Sequence, residues 1–130
     1  MTSNREKGKI GEACAREFYE ARGYEVVAQN VFCRYGEIDL IVKNEIFFVF
    51  CEVKLRQGVS FGNGLQAITR HKREKMVKSA QQYLQENSID LSLQPRFDVF
   101  SVQTSQKNGK IFVQSTELIE NAFGMEELNV

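Results

Sequence analysis

Apolar and polar positions alternate along the chain with two periods, one helical and one of strands. From about Asn4 to Arg22, Ile10, Cys14, Phe18 and Ala21 recur at spacings of three and four with charges between them, which predicts a helix with one buried stripe ended by Gly23. Tyr24 to Cys33, Glu37 to Lys43 and Ile46 to Arg56 are rich in Val, Ile and Phe and break at Gly36 and Asn44, which predicts three consecutive antiparallel strands. Gly58 to Gly64 reads as a loop. After it, Leu65, Ile68, Met76, Ala80, Tyr83 and Leu84 share one face of a helix running to about Asn87. Ser88 to Pro95 is a connection, and Arg96 to Thr104 and Lys110 to Ser115 are two further strands joined at Asn108-Gly109, a strong hairpin signal. Thr116 to Phe123 is predicted as a short terminal helix. The order α-β-β-β-α-β-β is that of an α/β or α+β sandwich.

Composition adds limits. A chain of 130 residues, 42% apolar, is the size of one domain with a core of its own, so residues 1–130 are read as a single domain. The 17 Lys and Arg balance the 17 Asp and Glu, so a nucleic-acid site has to come from local clustering. Such a cluster exists between Leu65 and Asn87, where Arg70, Lys72, Arg73, Lys75 and Lys78 face only Glu74 and Glu86. By itself, a basic ridge of this kind is more often a solvated helix face than a binding surface. The longest apolar run, Ile46 to Cys51, is too short to span a bilayer, and the amino terminus is polar. The expectation is a soluble, cytoplasmic protein without a membrane partner.

Cysteine and histidine usage removes several chemistries. Cys14, Cys33 and Cys51 are odd in number and far apart, which argues for reduced, packed thiols rather than disulfides or a zinc cluster. His71 is the only histidine, so zinc-hydrolase ligand sets are excluded, and no phosphate-cradling glycine loop or serine elbow is present.

The chemistry concentrates in Gly36-Glu37-Ile38-Asp39-Leu40-Ile41 and Val49-Phe50-Cys51-Glu52-Val53-Lys54. Strand alternation puts Glu37 and Asp39 on one face, with Ile38, Leu40 and Val42 on the other, and groups Glu52, Lys54 and Arg56. A tight turn at Asn44-Glu45, pairing Lys43 with Ile46, sets Glu37 opposite Glu52 with Asp39 its diagonal neighbour, roughly 7 to 8 Å away at the backbone. Carboxylates gathered that closely repel one another unless a cation lies between them, and an all-oxygen donor set suits magnesium or manganese. The plainer reading is two strands with acids on a solvent face. Against it, Phe48 and Phe50 share the face of Glu52, and Val49, Cys51 and Val53 occupy the other, so the strand is read as central and its acids as near the core.

These residues carry a resemblance. Asp39 followed by Glu52-Val53-Lys54 resembles the D…ExK core of the PD-(D/E)xK, restriction-endonuclease-like nucleases. More closely, Gly11-Glu12 with Ala15, Gly23-Tyr24, Asn30, Gly36 to Ile41, Glu52-Val53-Lys54 with Arg56, Phe61-Gly62, Lys72, Ala80, Tyr83-Leu84 and Arg96-Phe97-Asp98 resemble the YraN-like family of small bacterial proteins. The match spans Gly8 to about Val102. It departs from the family at Cys51, where a branched apolar residue is usual, and at Gln66, where an acid is common. The resemblance implies a restriction-endonuclease-like three-layer sandwich around a central mixed sheet of about five strands, related in fold to Holliday-junction resolvases.

It also implies roles. Asp39 and Glu52 would hold Mg2+ or Mn2+ with the Val53 carbonyl, and Lys54 would orient or deprotonate water and neutralise charge on the phosphate. Glu12 would close the metal site, or else pair on the helix surface with Lys9 or Arg16. Glu37 is an additional ligand or a shape-holding acid. Arg56 is a phosphate contact or a partner of Glu37, and Arg70, Arg73 and Lys75 join it as candidate nucleic-acid contacts. Lys72 lies in line with the buried stripe of its helix and must carry its ammonium to Asp98, to the acid cluster or to phosphate. Gln66 contacts a phosphate or metal-bound water, or is simply a polar helix start. Asp98 more naturally braces a neighbouring base than binds metal. Phe61 to Gly64 is a candidate closing loop. The functions in competition are a metal-dependent DNA nuclease, with branched or single-stranded substrates in repair or recombination; a nucleic-acid-binding module of the same fold; and a structural protein whose basic and acidic ends pair. A homodimer is expected for the nuclease, so that two sites meet two strands.

Overall fold

The computed structural model describes residues 4–57, 68–89 and 92–124. Among the described residues, two helices and five strands follow the expected order: α1 (Asn4–Glu20), β1 (Glu25–Cys33), β2 (Gly36–Lys43), β3 (Phe47–Gln57), α2 (Arg70–Glu86), β4 (Gln94–Lys107) and β5 (Lys110–Phe123). The strands form one mixed sheet in the order β1-β2-β3-β4-β5. All neighbours are antiparallel except β3 and β4, which run parallel because α2 carries the chain back between them. The chain therefore has an α/β fold with a five-stranded mixed sheet.

The core lies on both faces of the sheet, as a parallel centre requires. One cluster joins Ile41, Phe48, Phe50, Phe97 and Val99 to Met76, Val77, Ala80 and Leu84 of α2. The other joins Leu40, Val42, Val49, Cys51, Phe100 and Val102 to Ala15 and Tyr19 of α1. Cys51 is buried, Cys14 and Cys33 are partly buried, and all three are free thiols.

Four expectations need correction. The buried line of α1 is Gly11, Ala15 and Tyr19, whereas Cys14 and Phe18 are only partly buried and Ala21 is exposed. Small residues win this face because the helix packs close: a Cβ added to Gly11 would lie 3.0 Å from Val53 Cγ1. Helix α2 begins at Arg70, after an N-cap in which Thr69 accepts from the Lys72 amide; Ile68 is buried ahead of the helix, and Leu65 lies outside the described residues. Thr116 to Phe123 is not a helix but the second half of β5. The edge of β4, buried on both faces, needs a partner for its backbone, and Leu118 and Ile119 fill opposite faces opposite Phe100 and Val99. The hairpin before it turns at Asn108 and Gly109, both at positive φ (53° and 75°), as the sequence signals.

The fourth correction concerns the β2–β3 register. Lys43 pairs with Phe48 and Leu40 with Cys51, because Asn44 Oδ1 accepts from the Ile46 and Phe47 amides and moves the turn to Glu45-Ile46. The shift of two residues preserves the side-chain faces but sets Asp39, rather than Glu37, against Glu52.

Candidate metal centre

Where the β2–β3 ladder reaches Leu40 and Cys51, the two strands part. The Asp39 carboxylate enters the opening and accepts the Val53 amide at 2.8 Å. A strand residue sends its N–H and C=O off the same edge, so the Val53 carbonyl faces the same opening.

Strand β2 also turns over here. Ile38 packs under α2 while Leu40 and Val42 pack under α1, so residues two apart stand on opposite faces. Opposite Asp39 on β1 lies Asn30, between the pairs Gln29–Leu40 and Val31–Ile38, with a left-handed φ of 51°. The expected alternation therefore fails at Asp39: Glu37 does not share the Glu52 face but swings towards α1. There it meets Glu12, and ligand oxygens of Glu12, Glu37 and Asp39 all lie within 4.8 Å of one another. Glu12 accepts a hydrogen bond from Asn30 Nδ2 at 3.3 Å, whereas Arg16 bonds Glu20 and Gln29. The helix-surface alternative for Glu12 is thus displaced by a place in the acid cluster.

The electrostatics follow the geometry. Burial, reinforced by Glu52 and then by Glu37 and Glu12, raises the Asp39 pKa from 3.8 to about 7, against the Val53 N–H, which lowers it. Burial raises Glu37 as well, with Glu12 and Glu52 adding to the shift. Glu52 stands apart from the trio, held by Lys54 Nζ at 3.2 Å and Lys72 Nζ at 3.8 Å, with its side chain only 14% exposed. Burial disfavours the Lys54 charge, but the carboxylates of Glu52 and Asp39 outweigh that and leave its pKa raised. Contact with Lys54, then burial, pushes Lys72 down. Lys72 is half exposed rather than in the buried stripe, and of the two protein targets expected for it, Asp98 and the acid cluster, it reaches the second at Glu52.

A cavity of about 240 Å³ opens onto this group, with Glu37, Asp39 and Glu52 on the sheet side and Lys72 and Lys75 on α2. Tyr35 forms part of its wall. The other candidates fall elsewhere. Arg70 pairs with Glu74 on the outer surface of α2, and Arg73 is partly buried beside it. Arg56 continues the β3 face beyond Lys54 and accepts Thr104 Oγ1 at its carbonyl. Gln66 and Phe61 to Gly64 lie outside the described residues.

Asp98 braces a base. Its carboxylate accepts Arg96 Nε at 2.9 Å and Nη2 at 2.8 Å, Tyr19 Oη at 2.7 Å and the Asn121 amide at 2.9 Å, all in the core under α1. Four donors on one carboxylate balance the buried charge; burial, then Cys51 and Asp98, push the Tyr19 pKa up, and against a burial that opposes its charge Asp98 holds the Arg96 pKa raised. Sequence reasoning missed Tyr19 as the helix's anchor to this group. Its four-residue step from Ala15 was the available signal.

Comparison with known proteins decides the family. The model of the Uncharacterised protein family UPF0102 matches residues 11–102, which hold Glu12, Asp39, Glu52, Lys54 and Lys72. The chain belongs to this family. It is the YraN-like group indicated by the sequence motifs. UPF0102 relatives include a protein of Clostridium botulinum (strain Loch Maree / Type A3), 38% identical across 92% of this chain and 95% of its own length. Another, of Saccharophagus degradans, is 35% identical across 98% of this chain and 100% of its own length. A third, of Legionella pneumophila (strain Corby), is 40% identical across 75% of this chain and 82% of its own length.

Proposed function

We propose that this UPF0102 protein is a metal-dependent nuclease of the PD-(D/E)xK type, hydrolysing phosphodiester bonds in DNA at the cavity between β2, β3 and α2. One observation carries the reading: Asp39, with its pKa raised to about 7, sits among Glu12, Glu37 and Glu52 beside Lys54. Carboxylates gathered this closely repel one another unless a cation joins them. Carboxylates and a strand carbonyl form a hard, all-oxygen donor set, which fits Mg2+ or Mn2+. Asp39, Glu12 and the Val53 carbonyl would hold the ion, with Glu52 joining from the lysine side and Glu37 from the start of β2. Such an ion would supply Lewis-acid stabilisation of the phosphate and a lowered pKa for bound water.

The chain's own groups do the rest. Lys54, protonated and 3.2 Å from Glu52, presents positive charge where charge develops on the phosphate and orients the attacking water. Lys72 and Lys75 line the α2 wall of the cavity and neutralise flanking phosphates. A second copy gives the enzyme two sites for two strands. The outer edge of β5 offers the surface for it: residues 111–116 carry no charge, and Phe112 and Val113 are exposed.

The test is incubation of the wild type, Asp39→Asn and Lys54→Met with labelled single-stranded, duplex and four-way-junction DNA, with Mg2+, with Mn2+ and with chelator. Cleavage by the wild type only, and only with metal, supports the proposal. Cleavage that survives in Asp39→Asn, or a wild type that neither binds metal nor cuts, overturns it. The same fold acting as a nucleic-acid-binding module takes over if DNA still binds with a salt-dependent affinity, through Lys72 and Lys75 on the α2 wall.

A further inference from the structure

Two large aromatic side chains stand exposed at the end of the β1–β2 hairpin, against the burial that normally orders such residues. Phe32, the penultimate residue of β1, is 80% exposed, and Tyr35, in the turn, is 39% exposed. They flank the acid cluster from opposite sides. Phe32 pairs directly with Glu37, and directly opposed residues share a face, so Phe32 stands on the α1 side beside Glu37. Tyr35 belongs to the α2 side, where it lines the cavity that holds Asp39 and Glu52.

Tyr35 also lines a second depression, of about 500 Å³, with Arg34, Lys78, Gln81, Gln82 and Gln85. The ring is thus the wall shared by the candidate active site and this outer groove. The groove's lining contains two cations, three amides and no carboxylate, the reverse of the acid-rich cavity next door. Arg34 and Lys78 lie near the ring, at 5.7 and 5.5 Å from its centroid. Gln82 fixes the turn against α2 by accepting the Arg34 amide at 3.0 Å, so the platform is attached to the helix and does not swing freely.

We infer that the tip of the β1–β2 hairpin is a stacking platform for unpaired bases, which makes single-stranded nucleic acid, or the single-stranded part of a branched one, the substrate class. This rests on the nuclease reading of the adjacent site. The chemistry is that of a sequence-tolerant single-strand binder: aromatic faces for bases, with cations and amides beside them for the sugar-phosphate backbone. A base on Tyr35 displaces one flanking cation from the ring and leaves it to a phosphate. On α2, Lys72 to Gln85 spans about 20 Å, room for about five stacked nucleotides between the cavity and the far end of the groove. A continuous duplex keeps its bases paired and inside, and gains nothing from Phe32 or Tyr35.

The experiment measures fluorescence anisotropy of a labelled twelve-nucleotide single strand and of the matching duplex, with chelator present so that nothing is cut. The proteins are the wild type, Tyr35→Ala, Tyr35→Phe, Phe32→Ala, Lys78→Ala and Asp39→Asn, each checked by thermal melting. Loss of one stacking contact weakens single-strand binding by about 5- to 100-fold in Tyr35→Ala and Phe32→Ala. Tyr35→Phe restores it, since the ring and not the hydroxyl does the work. Lys78→Ala lowers the slope of log affinity against log salt by about 0.7. Duplex affinity changes less than twofold in the aromatic variants. Single-strand affinity unchanged in Tyr35→Ala overturns the inference, as does an equal loss for duplex. The two proposals fail separately: a nuclease whose Tyr35→Ala variant binds and cuts single strands normally has no platform there, while a protein that never cuts yet loses single-strand binding in Tyr35→Ala has the platform without the nuclease.

Discussion

Replacing Asp39 by Asn should make the metal-free protein more stable while ending any response to metal. Asn preserves the shape and still accepts the Val53 amide, but it carries no charge into the cluster of Glu52, Glu37 and Glu12. The native pKa of Asp39 is raised from 3.8 to about 7, so the folded state keeps a proton that the unfolded chain has already shed. Stability is therefore fully present below about pH 4, falls as pH rises between the two values, and is lowest above pH 7. Three pKa units correspond to about 4 kcal/mol, and because the neighbouring acids share the relief, a gain of about 2–4 kcal/mol is expected for Asp39→Asn at pH 8. For a domain of this size that is a rise of about 10 °C in Tm. At pH 4, where Asp39 is protonated when folded and only about half protonated when unfolded, the difference between variant and wild type should shrink to under about 1 kcal/mol. The assay is thermal and urea unfolding of both proteins at pH 4, 6 and 8, with chelator and then with 5 mM Mg2+ or Mn2+. Metal should raise the wild-type Tm at pH 8 and leave the variant unmoved. A variant less stable than the wild type at pH 8 with chelator would refute the reasoning, because Asp39 would then be held by favourable partners and not strained by its neighbours.

Four other outcomes follow from the same geometry. Lys54→Met should lower the cleavage rate by about 10²- to 10⁴-fold while calorimetry shows metal binding retained, since the ammonium acts on the phosphate and not on the ion. Asp98→Ala should cost about 3–5 kcal/mol in urea unfolding by stranding Arg96 and Tyr19 in the core, and metal affinity per folded molecule should stay as in the wild type. Gly11→Val should destabilise by about 1–3 kcal/mol, because its side chain meets Val53 Cγ1, and should weaken metal binding by moving Glu12 away from Asp39. If β5 edges pair between copies, Val113→Lys should convert a dimer to a monomer in sedimentation equilibrium; a dimer that persists places the interface elsewhere.

The legible part of this protein was whatever depends on neighbours in sequence. Periodicity sufficed for both helices and for the order of strands, because side-chain faces repeat with the local backbone geometry. Asn108-Gly109 announced its own turn, since both residues tolerate the positive φ that it needs. Asp39, Glu52 and Lys54 stood out because acids are costly in strands this apolar. Most of the rest was settled between elements. Thr116 to Phe123 became strand because the β4 edge lacked a partner, a demand that exists only once the sheet is assembled. One local contact escaped the apolar periodicity: the Asn44 side chain accepts from the amides two and three residues on, which moved the turn and with it the register that sets Asp39 against Glu52. A second asparagine, Asn30, lies in a left-handed conformation where β2 turns over, and that inversion brings Glu37 to Glu12. A raised pKa at Asp39 is likewise a property of the assembly: the sequence supplies four carboxylates, and only packing decides which of them come within 4.8 Å of one another and which, like Glu52, find a lysine first.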